Sequence, residues 1–132
     1  IARSGSQFYC YVAETSERAQ AEYKRGVMEF MNMRSSRGKV GHIPAETDYD
    51  AFLKNPYTAV GSPEEVAEII ENYRVKTGLG HIICWFNCGG QPQEQVLRSM
   101  RLFSEEVMPK FRSPRGVDNG TGPANPTVSG TV

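Results

Sequence analysis

Five consecutive apolar residues, Ile82-Ile83-Cys84-Trp85-Phe86, stand between two segments of helical periodicity. No other feature narrows the fold as much. A run this short and this apolar fits a strand buried on both faces, as in a parallel sheet covered by helices. The boundaries around it are written in the chain. Ser62 is placed to cap the preceding helix, and Pro63 takes its first position, where a missing N–H costs nothing. Glu65, three residues after Ser62, completes a capping-box pattern. Val66, Ile69, Ile70 and Tyr73 recur at three- and four-residue spacing and give that helix one apolar face. Gly78 suits the residue past its end. Beyond the run, Val96, Met100, Phe103 and Val107 are in phase on a second amphipathic helix, which Met108-Pro109 is expected to close.

Upstream, residues 7–13 (QFYCYVA) read as another strand, rich in aromatic and β-branched residues. Thr15 can cap the helix that follows, with Glu17 in its first turn. That helix spans about residues 16–33, with Ala19, Tyr23, Val27, Phe30 and Met31 as its apolar stripe. Gly26 inside it costs about 1 kcal/mol relative to Ala. Residues 34–60 then read as one long irregular section, opening on RSSRGK, with a helical turn over 48–53 in which Tyr49, Phe52 and Leu53 can pack. Connections of this length are uncommon in compact domains and often serve as lids or binding loops. A poorly ordered insertion is the alternative. Residues 113–132, rich in Gly, Pro, Ser, Thr and Asn, read as a disordered tail. Strand alternating with helix implies right-handed crossovers and a parallel sheet. Two such strands do not make a stable sheet, and the 82–86 strand would keep a bare hydrophobic edge. The chain is therefore expected to be part of something larger.

With 132 residues there is room for one small core. Beginning at Ile1 rather than Met is what a fragment or a processed product would do. The net charge of zero gives no basic face for nucleic acid. No apolar run approaches the roughly 20 residues that span a bilayer, and the start carries no signal-peptide pattern. Three cysteines, none in a CxxC pair, point to free thiols and a reduced, cytoplasmic setting. Cys84 and Cys88 have no companions at metal-ligand spacing.

An ordered series of motifs resembles the C-terminal part of the luciferase-like flavin-dependent monooxygenases. It runs from Tyr11-Val12-Ala13-Glu14-Thr15 through Gly61-Ser62-Pro63-Glu64-Glu65-Val66-Ala67 to Trp85-Phe86-Asn87 with Gly89-Gly90. It ends on Arg98-Ser99-Met100-Arg101-Leu102-Phe103-Ser104-Glu105-Glu106-Val107-Met108-Pro109. Gln91 and Gln93 depart from the family, where a methionine and a histidine are common. The resemblance implies an α/β fold, the C-terminal fragment of a (β/α)8 TIM barrel. About two strands with flanking helices would cover residues 1–112, strands seven and eight being 7–13 and 82–86. Residues 34–60 would be an insertion at the barrel mouth, and the upstream barrel strands would come from elsewhere.

The resemblance further implies a monooxygenase that uses reduced flavin, FMN, and O2 on a small organic substrate, with a flavin reductase and a homodimer as partners. A variant using the deazaflavin F420 as an oxidoreductase, or a non-catalytic protein-interaction module, are the alternatives. Active-site groups in such barrels come from the C-terminal ends of strands. That selects Glu14 and Thr15 after the first strand and Trp85, Asn87 and Cys88 at the second, with Thr15 read as a cap. Glu14, Trp85 and Asn87 are the candidates to line cofactor or substrate, each with a plainer reading: helix-entry charge, core aromatic, turn former. Arg34, Arg37 and His42 are the lid candidates. An arginine there would meet flavin phosphate or an anionic substrate, unless RSSRGK is a solvated basic turn and His42 a surface histidine. No catalytic residue is assigned, and no metal.

Overall fold

The computed structural model describes residues 5–36, 49–78 and 80–112, with the side chains of 34–36 excepted. Residues 37–48 of the insertion, including Arg37 and His42, and the tail 113–132 lie outside the described residues. The elements are β1 (Gly5–Val12), α1 (Ser16–Ser36), α2 (Tyr49–Leu53), β2 (Thr58–Gly61), α3 (Pro63–Thr77), β3 (His81–Trp85) and α4 (Gln93–Leu102). A π turn over Phe103–Val107 and a 3-10 turn over Met108–Phe111 prolong α4.

The sheet is parallel throughout, in the order β2-β1-β3. The two strands expected from the sequence are indeed neighbours, with Phe8 opposite Cys84 and Tyr9 opposite Trp85. A third strand, β2, pairs with the other side of β1, Tyr9 opposite Thr58 and Val12 opposite Gly61. It occupies Thr-Ala-Val-Gly, four residues that the sequence reading left in the irregular section because they are too few to show alternation. The stretch 34–60 is thus shorter as a loop than expected: α1 runs on to Ser36, α2 packs Tyr49 and Phe52 inward, and β2 follows.

Because β1 lies in the middle, the chain steps one way to reach β2 and back across β1 to reach β3. Right-handed crossovers in opposite directions put their helices on opposite faces. Two cores result. One gathers Tyr11, Ala13, Ala19, Tyr23, Val27, Phe52 and Val60 under α1 and α2. The other gathers Phe8, Cys10, Val12, Ala59, Val66, Ile70 and Val107 under α3 and the C-terminal turns. Burying each of the larger side chains contributes about 1.5–3 kcal/mol. The expected α/β class holds: a small parallel sheet with helices on both faces, consistent with a fragment of a (β/α)8 barrel.

Two expectations change. β3 was expected to be buried on both faces, but none of its five residues is fully buried and Ile83 is 63% exposed, because β3 stands at the sheet's end. Met100 was expected to face inward, yet it is exposed with Leu97, while Val96, Ser99 and Val107 are buried. Ser99 takes the inward place in α4, and Val107, about three turns beyond Val96, stays in phase with it. Nor does Pro109 end the helix. It sits in the first positions of the 3-10 turn, where its missing N–H is tolerated.

Candidate active-site end of the sheet

In a parallel α/β sheet, functional groups collect beyond the carboxyl ends of the strands. Two polar clusters lie there. The first is built on α1. Arg18 and Glu22 share one face of α1, and Glu14 precedes the helix at the same four-residue spacing from Arg18. Arg18 bridges Glu14 at 3.1 Å and Glu22 at 2.8 Å. Arg98 reaches across from α4 to pair with Glu22 and comes within 3.8 Å of Glu14. From β1, the Tyr11 hydroxyl donates to Glu22 at 2.7 Å. Burial alone would raise the Glu22 pKa; the hydrogen bonds from Arg18, Tyr11 and Arg98 more than offset it and hold the carboxyl below its usual range. Burial, and then Glu22, push the Tyr11 hydroxyl up, so it stays protonated. Next to Arg98, the buried Ser99 hydroxyl accepts the Val12 N–H at 2.7 Å and closes off β1.

The second cluster surrounds the end of β3. Trp85 stacks on Tyr9 at 5.6 Å and meets Phe30 edge-on at 4.9 Å. Its indole N–H donates to the Asn87 carbonyl at 2.6 Å. The Asn87 side chain accepts the Gly89 N–H at 2.9 Å, an Asx turn into two glycines of positive φ. Buried Cys88 lies 3.2 Å from the Tyr23 hydroxyl, which also donates to the Trp85 carbonyl at 3.3 Å. Tyr11 and Tyr23 stack at 5.2 Å and join the clusters through the core.

The candidates therefore separate. Trp85 and Asn87 come together at one strand end. Glu14 belongs to the other cluster and is held by two arginines. Arg34 is in the last turn of α1, its side chain not among those described. Sequence reasoning named Cys88 at the strand end but missed Tyr11, Tyr23 and Glu22 as members of these clusters. The spacing of Glu14, Arg18 and Glu22 was there to be found, whereas nothing in the local sequence ties Arg98 to them.

A flavin would need a free aromatic or apolar slot for its ring and unengaged donors for its phosphate. The described residues do not provide that set. Trp85 is covered by Tyr9 and Phe30, and Arg18 and Arg98 are committed to carboxylates. No group of His, Cys, Asp and Glu among the described residues could hold a metal ion, and none of their helices is long and apolar enough to cross a membrane.

No protein-family model matches the chain. Among curated proteins, it is 39% identical over 61 residues to the alkanal monooxygenase alpha chain of Photobacterium leiognathi, covering 46% of this chain and 17% of the relative. To that of Aliivibrio fischeri it is 34% identical over 75 residues, covering 57% and 20%. The chain thus spans about a fifth of the length of the curated relatives it matches. In structure it superposes on the monooxygenase RslO1 from Streptomyces bottropensis with a TM-score of 0.63 and 26% identity, over 82% of this chain and 31% of that one.

Proposed function

As a relative of the luciferase-like monooxygenases, the chain is, we propose, one segment of a longer flavin-dependent oxidoreductase that oxygenates a small organic substrate with O2. One observation supports this above the rest: similarity in sequence and similarity in parallel α/β architecture point independently to monooxygenases. The cofactor in this reading is reduced FMN from a reductase, held chiefly by residues beyond these 132. F420 is the alternative within the same family, and a homodimer is the proposed assembly.

The part left to this segment is scaffolding at the strand ends. Trp85, with Tyr9 and Phe30 behind it, forms an aromatic end wall, and Asn87 fixes the turn that carries it. Glu14 and Glu22 clamp α4 to α1 through Arg98 and take no proton from substrate.

The test uses the full-length polypeptide. FMN and F420 are titrated by fluorescence, and turnover is followed with reduced flavin, labelled dioxygen and an aliphatic aldehyde, the class named in the relatives' titles. Transfer of label into product is the expected result; reduction or hydride transfer with no label incorporated would favour the F420 reading. Glu14→Gln is expected to leave kcat unchanged, and a collapse of kcat in that variant would make Glu14 an acid or base after all.

A further inference from the structure

Four side-chain contacts hold the turn that leads from β3 into α4. Trp85 donates its indole N–H to the Asn87 carbonyl, Asn87 accepts the Gly89 N–H, and the Cys88 thiol lies on the Tyr23 hydroxyl. The fourth comes from Gln91, whose side-chain carbonyl accepts the Cys88 N–H at 3.2 Å. That bond decides which way the amide faces, since the flipped group would set a donor against a donor. The amide nitrogen is then buried and, among the described residues, finds no acceptor. Across from it, α1 has no Cβ at Gly26. One added there would stand 2.9 Å from the Gln91 Cδ and 2.7 Å from the Gly89 carbonyl oxygen. Gln91 is thus wedged between helix and turn, with one polar bond made and one unmade.

We propose that Gln91 is a positioning residue: its amide fixes the Cys88 peptide, and through it the places of Trp85 and Asn87 at the strand end where substrate is bound. The role toward substrate rests on the proposed function; the hold on the turn does not. A made hydrogen bond and a buried donor left unpaired oppose each other in stability. The amide therefore adds little to the strength of the fold, and what it supplies is a single orientation of the peptide it meets. The Gly26 socket supports the same reading, because it admits the stem of this side chain right up to the turn. Glutamine also stands here where methionine is common in the family that the chain resembles. Methionine has a similar reach and fills the same socket, but its sulfur is only a weak acceptor for the Cys88 N–H.

Gln91→Met therefore separates the amide from the packing. Amide exchange over residues 86–91 is followed by mass spectrometry in the full-length polypeptide. Acrylamide quenching is followed in the 132-residue chain, where Trp85 is the one tryptophan. The expected result is exchange over 86–91 faster by about tenfold and Trp85 more readily quenched, with the thermal midpoint within about 4 °C of the parent's. In turnover of the full-length variant, KM for the aldehyde should rise about fivefold with kcat unchanged. Exchange and quenching equal to the parent's would overturn the proposal. A lowered midpoint with exchange faster throughout the chain is what a merely structural residue would give, and would overturn it as well. So would a loosened turn with KM unchanged, since nothing that substrate meets would then have moved. A parent polypeptide without oxygenating turnover sinks the proposed function instead, and the hold of Gln91 on the turn is then decided by exchange and quenching alone.

Discussion

Glu22 is the side chain on which most of the strand-end polar contacts converge. It accepts from Tyr11, Arg18 and Arg98, residues of three different elements, and its side chain is only 13% exposed. Replacing it with Ala leaves a tyrosine hydroxyl without its acceptor and Arg98 without its nearest carboxylate. Such losses cost about 1–3 kcal/mol, and urea unfolding should show a drop of about 2 kcal/mol. Tyr11→Phe, which removes one hydrogen bond and keeps the ring, should cost about 1 kcal/mol. The folded Glu22 carboxyl lies below its ordinary range, so its contribution is complete above the unfolded glutamate value, about 4.3. It is lost as pH falls through the lower folded value. The stability of Glu22→Gln should therefore fall less steeply below that value than that of the parent chain, and parallel slopes in the two acid titrations would refute the linkage. Gly26 makes a second case at this scale. In the sequence it looked like a weak point of α1. In the fold, an added Cβ would sit 2.7 Å from the Gly89 carbonyl oxygen, which is backbone and cannot swing aside. Gly26→Ala should therefore destabilise by about 1–3 kcal/mol, as overpacking does, although helix propensity alone favours Ala by about 1 kcal/mol.

Among the elements, α3 was the most legible, since its signals are local. Ser62 caps it, accepting the Glu65 N–H at 3.4 Å; Pro63 opens it; Gly78, in the left-handed region, closes it with an N–H to the Arg74 carbonyl at 2.8 Å. What the chain alone could not reveal is the other half of the capping box. Glu65 does not reach back to the Ser62 N–H. The hydroxyl of Ser16, from the start of α1, comes between: it accepts that N–H at 3.2 Å and donates to Glu65. One serine thus ties two helix starts together. Ser16→Ala should cost at least as much as Ser62→Ala, about 1 kcal/mol, and a Ser16→Ala variant as stable as the parent would show that the bridge contributes nothing. β2 and the inward face of α4 were illegible for a related reason. Four residues carry too little pattern to announce a strand, and in α4 a buried serine, Ser99, stands where an apolar pattern selects its neighbour Met100. The strand-end clusters divide in the same way: the Glu14–Arg18–Glu22 ladder is local, while Arg98 enters it from 76 residues beyond Glu22.

At the level of the molecule, the expectation that decided most was the bare edge. The apolar run at 82–86 signalled a strand made for two neighbours, and among the described residues β3 pairs with β1 alone, which leaves its outer flank unpaired. A charge on that flank should improve behaviour in the isolated chain: Ile83→Lys is expected to raise the concentration at which the 132 residues remain monodisperse, without loss of thermal stability, as light scattering and calorimetry can check. The order β2-β1-β3 has a consequence in time as well as in space. β1 leaves the ribosome ahead of both its partners, which arrive about fifty and seventy-five residues later. Until His81–Trp85 has emerged, the strand that both halves of the sheet depend on waits with an unmatched side, so this polypeptide is predisposed to fold late in its synthesis and to need shelter while it waits.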